Sequence, residues 1–429
     1  MTEYVNSIIK LDQVKISPSY GSVAVLNDKR LMWVWGQGHV DDRPLYANLS
    51  EDEGRTWSAP ETLKLVSGQD LTASFETQLT RLPGESLALV VTRYSDGLSV
   101  NSFHVSSDEG VTWSDGVDIN PPGTDIHTNH DNTIVLRDGR IVMPAYAILQ
   151  TTVLADNPKA IVRFGEEFTG AGRGSLAYGF AYYSDDQGQT WVRSRNEAFV
   201  MLDEGLGGVY SVEEPAIVEL KDGRIMMLCR THVGQFFKSY SPDRGESWTE
   251  PEPTGLACYP APCNVKRIPS TGDLLVVWNQ ISRWEIMSGL YRHRLTCAVS
   301  KDEGETWTHH RNLESLDDTA YIEADEPARV IVGKYKQPID RSRYHRAPGP
   351  LRHNEPTVAF LDDKVVITYG LCVFGDRSIL TDIYGVDYDD LMRELGVAPH
   401  DRGNKVRVLS TDWFYQNGES PPTIGTSDP

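Results

Sequence analysis

The chain has 429 residues, of which 39% are hydrophobic and 24% are charged, as is ordinary for a globular protein that buries a large core. Its formal net charge of -20 argues against a nucleic-acid partner, because phosphate backbones need a positive surface. No apolar run approaches the roughly 20 residues of a membrane helix, and the N-terminus lacks a signal-peptide pattern, so we expect no membrane partner and a cytoplasmic location.

Six segments have the pattern of a strand, a tight turn and a second strand. In chain order they are SVAVLNDKRLMWVWG at 22–36, TQLTRLPGESLALVVTR at 77–93, NTIVLRDGRIVMPAY at 132–146, PAIVELKDGRIMMLCR at 215–230, NVKRIPSTGDLLVVWN at 264–279 and PTVAFLDDKVVITYG at 356–370. Their turns (DK, PGE, DG, DG, STGD and DD) have the residue types of β-hairpins. The repeat therefore predicts six similar β-units.

A second repeat, S-x-D-x-G-x-[TS]-W, follows each of the first five hairpins. It begins at Ser50, Ser106, Ser184, Ser241 and Ser300, and we call it the Asp box. Its Asp can accept hydrogen bonds from nearby backbone N–H groups, its Gly permits a positive φ, and its Trp can pack against a sheet. The motif predicts a tight turn between two strands.

Six units of about four strands each predict an all-β fold, a six-bladed β-propeller with five Asp boxes. We expect a single domain over residues 1–429, with an irregular C-terminal tail at about 409–429 and a helix only near 388–395. A solenoid of hairpins is the alternative, which is disfavoured because closure of the ring removes exposed sheet edges. Five cysteines without metal-type spacing predict neither a disulfide framework nor a zinc site, and we expect no cofactor.

In a propeller the inner strands all begin at one rim, whereas the Asp boxes lie at the opposite rim and are structural. The candidate rim residues are Tyr20, Ser22, Phe75, Glu76, His127, His130, Asp131, Glu213, Glu214, Cys263, Asn264, Asn354 and Glu355. Convergent polar groups in a concave surface are typical of a small-ligand site. Insertions at 147–176 and 322–353 add to this rim. The second is rich in Arg and Lys, which favours either a lid that binds a carboxylate or a solvated or oligomer-contact loop.

Five Asp boxes in a six-hairpin chain resemble the sialidase (neuraminidase) superfamily of BNR-repeat proteins over about residues 17–384. The resemblance implies arginines that bind a substrate carboxylate, a Tyr–Glu nucleophile pair and an Asp acid/base. The segment EEPAIVELKDGRIMMLCR then places Glu214 and Arg230 at family positions, and YRHRLTCAVSKDEGETW places Arg292 there, with Arg294 as the second choice. In AYIEAD the resemblance implies Tyr321 as the nucleophile, a recognised exception among glycosidases.

The first and third units depart from the family pattern. The segment SPSYGSV lacks the family's N-terminal arginine, and Asp42 (or Asp41) is only a loose match for the acid/base. The segment HTNHDNTIV instead brings His127, His130 and Asp131 to the rim, and a His beside a carboxylate can exchange protons near neutral pH.

The sequence therefore predicts an exo-acting glycoside hydrolase that removes a terminal, potentially acidic, sugar. The predicted catalytic residues are Glu214, Tyr321, Asp42 and His130, and the predicted substrate-binding residues are Arg230, Arg292, His127, Asp131, Glu76, Asn264 and Glu355. Two alternatives remain open: a polysaccharide lyase or other glycosidase that uses His127 and His130, and a non-catalytic glycan-binding module. The expected partner is a carbohydrate, with homo-oligomerisation left open.

Overall fold

Six four-stranded antiparallel sheets make up most of the fold. A computed structural model describes residues 3–10, 21–36, 43–74, 76–95, 98–121, 123–149, 160–163, 166–169, 176–202, 208–258, 260–287, 290, 292–315, 317–328, 330, 351–373, 403–416 and 418–420. The inner strands contact one another in a closed cycle from the first sheet through the sixth and back to the first. The predicted six-bladed β-propeller is thereby confirmed.

The blades follow the six predicted hairpins. From the inner to the outer strand, blade 1 contains Gly21–Val25, Leu31–Trp35, Tyr46–Ser50 and Glu61–Thr62, and blade 2 contains Thr77–Arg81, Leu87–Ser95, Leu98–Ser106 and Val117–Asp118. Blade 3 contains Ile134–Val135, Ile141–Leu149, Leu176–Ser184 and Val192–Arg193, and blade 4 contains Glu213–Glu219, Ile225–Arg230, Gln235–Ser241 and Glu252–Ala257. Blade 5 contains Asn264–Arg267, Leu274–Trp278, Leu295–Ser300 and Thr308–Glu314.

Blade 6 joins the two ends of the chain. Its strands are Leu351–Leu361, Lys364–Val373, Gly403–Ser410 and, outermost, Glu3–Lys10. The last two pair antiparallel, with Ser7 opposite Val406. The N-terminal strand thus covers an edge that would otherwise be exposed, and the hairpin pattern did not predict this pairing.

Short elements complete the described structure. Arg43–Pro44 pairs with Thr72–Ala73, Lys64–Leu65 with Thr112–Trp113, Ala160–Arg163 with Glu166–Thr169, and Val200–Leu202 with Gly208–Tyr210. A helix spans Arg283–Met287, between the second and third strands of blade 5, whereas the helix predicted near 388–395 lies outside the described residues. The predicted tail starts later than residue 409, because a strand continues to Ser410 and a 3₁₀ turn, Thr411–Tyr415, buries Trp413 and Phe414.

The five predicted turns share one set of hydrogen bonds. In the first, Asp52 Oδ1 accepts from the Thr56 backbone N–H at 2.8 Å, Asp52 Oδ2 accepts from Thr56 Oγ1 at 2.6 Å, and Gly54 N–H donates to Ser50 Oγ at 2.8 Å. The equivalent bonds form in the other four motifs. The positive φ of 89° at Gly54 explains why the motif requires glycine.

The hydrophobic core lies between neighbouring blades. Each pair of adjacent blades shares one cluster of buried apolar side chains. The Trp of each Asp box packs into the cluster shared with the preceding blade, as Trp113 does between blades 1 and 2 and Trp307 does between blades 4 and 5. Each box therefore packs its own blade against the preceding blade, which agrees with the predicted structural role of the boxes.

Candidate active site

The inner strands of blades 4 and 6 begin with the same irregularity. Pairing with the second strand shifts register between Glu213 and Ala216 in blade 4, and between Asn354 and Thr357 in blade 6. Within the shifts, Glu214 and Glu355 adopt positive φ values of 40° and 48°. Successive side chains of a regular strand point to opposite faces, and a bulge breaks this alternation. Two consecutive polar side chains can therefore reach the same partner.

In blade 4 that partner is Arg230, the last residue of the second strand. Its Nη1 forms an ion pair with Glu214 Oε2, and its Nη2 lies 3.2 Å from Glu213 Oε2. His232 Nε2 lies 3.2 Å from the other oxygen of Glu213. Burial opposes ionisation of Glu213, but the charges of Arg230 and His232 outweigh it and lower the pKa of this carboxyl to about 2. Blade 4 thus presents a charged carboxylate–guanidinium cluster.

In blade 6 the corresponding partner is Arg292, from the loop before the third strand of blade 5. Its Nη1 lies 3.1 Å from Glu355 Oε1 and donates to Asn354 Oδ1 at 3.1 Å. Burial and the nearby charge of Glu214 raise the pKa of Glu355 to about 7, against the opposing effect of Arg292 and Arg230. The charges of Glu214 and Arg230 both act on Glu355, so the bulges of blades 4 and 6 lie close enough to interact electrostatically.

Blade 2 adds a third carboxylate to the same space. Glu76 precedes the inner strand of its blade and accepts a hydrogen bond from Thr92 Oγ1 at 2.8 Å. Burial is the main reason why its pKa rises to about 7, and the charges of Glu214 and Glu355 raise it further, against the effect of His127. The charge of Glu214 thus acts on the carboxyl groups of both Glu76 and Glu355.

Blade 3 contributes an aromatic pair beside these carboxylates. The rings of His127 and Tyr146 stack with centroids 5.2 Å apart, and Asp125 Oδ1 lies 3.5 Å from His127 Nε2. Burial alone would lower the pKa of His127, but Asp125 and then Glu76 raise it above its usual value. Burial raises the pKa of Tyr146 well above its usual range, and the charges of Glu214 and Glu76 raise it further. The Tyr146 phenol is consequently neutral.

The structure brings together six of the predicted site residues, which come from blades 2, 3, 4, 5 and 6. They are Glu76, His127, Glu214, Arg230, Arg292 and Glu355. They lie where inner strands begin and second strands end, whereas the Asp boxes follow the far ends of the third strands. The predicted separation of site and boxes onto opposite rims is therefore observed, and the roles of the six residues stay predictions.

Tyr321 does not pair with Glu214, so the predicted nucleophile pair is wrong. Its ring packs edge-on against His310, at 4.9 Å between centroids, and its backbone N–H donates to Glu419 Oε2 at 2.7 Å. Glu323 is the carboxylate that raises its pKa, after burial. The physical reason is chain position: the segment after the outer strand of blade 5 is held by Gln280, which donates to the Ala320 backbone oxygen at 2.7 Å and accepts from the Ile322 N–H at 2.9 Å.

His130 is packed between blades and is not at the rim as predicted. The residue is 2% exposed, and its Nδ1 lies 3.3 Å from both the backbone nitrogen and the backbone oxygen of Thr77. The buried imidazole is therefore not exposed at the rim, and His127 is the histidine of this blade whose charge acts on Glu76.

Asp131 and Asn264 connect blades through buried contacts. The prediction that they bind the substrate is therefore corrected. Asp131 Oδ1 accepts from Ser22 Oγ at 3.1 Å, and its Oδ2 accepts from the Val358 N–H at 3.3 Å. Lys266 Nζ lies 3.4 Å from Oδ2, and Asn264 Nδ2 donates to the Asp131 backbone oxygen at 3.2 Å. This buried carboxylate from blade 3 thus joins the inner strands of blades 1, 5 and 6.

Other predicted features fall partly or wholly outside the description. Asp42 and residues 331–350 of the basic insertion lie outside the described residues. Arg294, the second choice after Arg292, is 1% exposed and pairs with Asp317 Oδ2 at 2.7 Å and with Glu285 Oε1 at 3.3 Å, so it is structural.

Within the described ranges, no three His, Cys, Asp or Glu side chains form a group suited to a metal ion. No helix in those ranges has the length and apolar character of a membrane span.

Sequence reasoning missed Tyr146 and the pairing of Glu213 with Arg230. Tyr146 lies in a second strand, and only first strands were considered as a source of rim residues. A usable signal was the dipeptide Glu-Pro at the start of two inner strands, at Glu214 and Glu355. Proline lacks a backbone donor and is typical of bulges and strand ends, so its repetition marks two matched irregularities.

Comparison with protein families decides the relationship. A family model described as a BNR repeat-like domain matches residues 76–323. The chain belongs to this family. The match includes Glu76, His127, Glu214, Arg230 and Arg292, and it confirms the BNR-repeat relationship that the Asp boxes predicted. A comparison with curated proteins gives no match.

Solved structures with the same architecture include proteins of several kinds. A protein of unknown function from Dyadobacter fermentans has a TM-score of 0.59 at 16% identity, covering 95% of this chain and 99% of its own. A Trypanosoma rangeli sialidase in complex with the inhibitor DANA has a TM-score of 0.55 at 11% identity, covering 95% of this chain and 60% of its own. A Penicillium chrysogenum α-L-arabinanase complexed with arabinobiose has a TM-score of 0.52 at 13% identity, covering 96% and 99%. These likenesses show the fold.

Proposed function

We propose that this BNR-repeat protein is an exo-acting glycoside hydrolase that cleaves a terminal sugar at the rim where the inner strands begin. The observation that carries the proposal is the convergence of Glu76, Glu214 and Glu355 around Arg230 and Arg292. Two proteins of the same architecture, a sialidase and an arabinanase, are named for activity on sugars, which supports a sugar substrate. Fold likeness alone does not define an activity, so the chemistry is argued from the side chains.

Glycoside hydrolysis needs a proton donor and an ionised carboxylate on opposite sides of the scissile bond. Glu355 suits the donor role, because a pKa of about 7 keeps its carboxyl protonated in part at neutral pH. Glu214 suits the second role, because its carboxyl group forms an ion pair with Arg230 in the same space. In the proposed reaction Glu355 protonates the departing glycosidic oxygen as its bond to the anomeric carbon breaks. Glu214 stabilises the positive charge there, water adds to the anomeric carbon to form the new hydroxyl, and the proton that water loses passes to Glu355, which restores the proton donor.

The state of Tyr146 argues against this tyrosine as the base of a lyase. A lyase needs a base that removes a proton from the sugar, and a tyrosine serves this purpose only when its pKa is low enough to ionise. Tyr146 has a pKa well above its usual range because of burial and the charges of Glu214 and Glu76. Its neutral hydroxyl is suited to donate a hydrogen bond to a substrate or to a neighbouring carboxylate.

Substituting the two glutamates tests the proposal. Release of 4-nitrophenol from a panel of α- and β-4-nitrophenyl glycosides would identify an active substrate. For that substrate Glu214→Gln is expected to lower kcat at least about 100-fold, and Glu355→Gln is expected to do the same for the corresponding methyl glycoside, whose leaving group requires protonation. The control is Glu219→Gln, because Glu219 lies at the other end of the same inner strand and binds Arg137. The proposal fails if the wild-type protein cleaves no glycoside, or if both site variants keep activity within threefold.

A further inference from the structure

The charge of the sugar can be inferred from how the two site arginines are paired. We infer that the sugar bound beside Arg230 and Arg292 is uncharged, and that this site does not recognise a carboxylate. The inference rests on the proposed function, because it concerns the sugar that the proposed hydrolase would cleave. It restricts the class of terminal sugars to neutral ones. It runs against the acidic sugar that the resemblance to sialidases suggested.

Arg230 is already occupied by two carboxylates. A guanidinium recognises a substrate carboxylate through two parallel N–H donors. Here Nη1 faces Glu214 and Nη2 faces Glu213, while Nε is buried and out of reach of an incoming ligand. The bulge produces this double occupancy, because without it two consecutive glutamates would point to opposite faces of the strand.

Arg292 is engaged through one of its nitrogens at blade 6. Its Nη1 contacts both Glu355 Oε1 and Asn354 Oδ1 at 3.1 Å. The two arginines are thus matched by two bulges, each of which places consecutive polar side chains on one guanidinium. A substrate carboxylate would have to compete with Glu355 and Asn354 for this donor of Arg292.

The pairing of charges around the space points the same way. Among the described residues, Arg230 faces Glu213 and Glu214, and Arg292 faces Glu355, so each guanidinium already has a carboxyl partner. A substrate carboxylate would have to displace a glutamate from an arginine and would then lie near the remaining ones. Like charges at such short range repel strongly where water is partly excluded. Neutral hydroxyl groups, by contrast, can donate hydrogen bonds to the carboxylates that line the space.

Matched substrates provide the test in the wild-type protein. We would compare 4-nitrophenyl glucosides and galactosides with the corresponding glucuronides, galacturonides and glucosaminides, and with a sialoside. We expect kcat/KM for the best neutral glycoside to exceed that of its uronide at least tenfold. Saturation-transfer NMR with galactose, galacturonate and galactosamine gives the same ranking for binding, independently of turnover.

The variant Glu213→Gln tests whether the pairing of Glu213 with Arg230 causes the preference for neutral sugars. It removes one carboxylate from Arg230 without placing a new charge, and it should reduce the preference for the neutral sugar over the uronide at least fivefold. The control Glu219→Gln, on the same strand, should leave the preference unchanged. Thermal melting establishes whether the variants are folded, and the wild-type ranking stands even if Glu213→Gln is not.

The outcomes separate this inference from the proposed hydrolase. Faster turnover of uronides, sialosides or amino sugars would overturn the inference while the hydrolase proposal stands. If NMR shows preferential binding of galactose but no glycoside is cleaved, the inference is supported and the hydrolase proposal is contradicted. If no sugar binds and none is cleaved, both are overturned.

Discussion

Replacing Asp131 with alanine tests whether this residue holds the propeller together or contacts a ligand. In the structure its carboxylate is 2% exposed and accepts hydrogen bonds from Ser22 Oγ and the Val358 N–H, with Lys266 Nζ 3.4 Å away. These partners come from the inner strands of blades 1, 6 and 5. The substitution Asp131→Ala therefore removes contacts that join blade 3 to three other blades, and it leaves a buried N–H without its acceptor.

The expected cost follows from these contacts. Hydrogen bonds to a charged group contribute about 1.5–3 kcal/mol each, and breaking a buried ion pair by removing one partner costs about 3–5 kcal/mol. Burial raises the pKa of Asp131, so desolvation of the carboxylate outweighs what its own contacts contribute, and the cost of the substitution comes from the buried partners that lose their acceptor. We therefore expect Asp131→Ala to lower the free energy of unfolding by about 3–5 kcal/mol. Asp131→Asn, which keeps the shape and one acceptor, should cost about 1–2 kcal/mol.

Urea unfolding followed by tryptophan fluorescence measures this cost. With a slope of about 3 kcal/mol/M or more for a chain of this size, the midpoint should fall by about 1 M in Asp131→Ala. Asp115→Ala is the control, because Asp115 is exposed at the surface and should change stability by less than about 0.5 kcal/mol. A loss below about 1 kcal/mol in Asp131→Ala, or weaker ligand binding at unchanged stability, would refute the structural role argued here.

Three further predictions concern the pH profile, the closure of the ring and the Asp boxes. Because the proton-donor form of Glu355 is lost as pH rises through its pKa of about 7, kcat/KM should fall above pH 7, and a flat profile from about pH 6 to 9 would contradict its role. Deleting residues 1–10 exposes the edge of the strand Gly403–Ser410. The melting temperature should then fall by about 5 °C or more, and size-exclusion chromatography should show aggregates. An unchanged melting curve would show that this strand is dispensable. Asp302→Ala removes three hydrogen bonds to Ser300 and Thr306 and should cost about 1–3 kcal/mol in urea unfolding without weakening sugar binding.

The candidate site shows which functional residues can be predicted from sequence patterns and which cannot. Glu214 and Glu355 were predicted because each lies at the start of an inner strand, and the resemblance to sialidases placed Arg230 and Arg292. The same resemblance placed Tyr321 beside Glu214, which was wrong, since sequence distance from a box does not show which residues a later segment contacts.

Blade 3 gives a second example. The segment HTNHDN offers two histidines and an aspartate within five positions, and nothing in their spacing separates His127 from His130. The structure separates them: the first stacks on Tyr146 beside the glutamates, while the second is packed against the Thr77 backbone. Which polar side chain reaches the rim depends on where the inner strand begins to pair, and that pairing is a tertiary property.

The sequence by itself determined the number of blades, their hairpins and the turns of the Asp boxes. These features depend on hydrogen bonds within a few residues, such as Thr56 N–H to Asp52, so their residue types are visible locally. Tertiary structure alone decided the closure of blade 6 by the N-terminal strand, the bulges that pair Glu213 and Glu214 with Arg230, and the burial of Asp131. Those depend on contacts between distant segments, such as Asp131 with Val358, 227 positions apart, whose free energy appears only once the ring has closed.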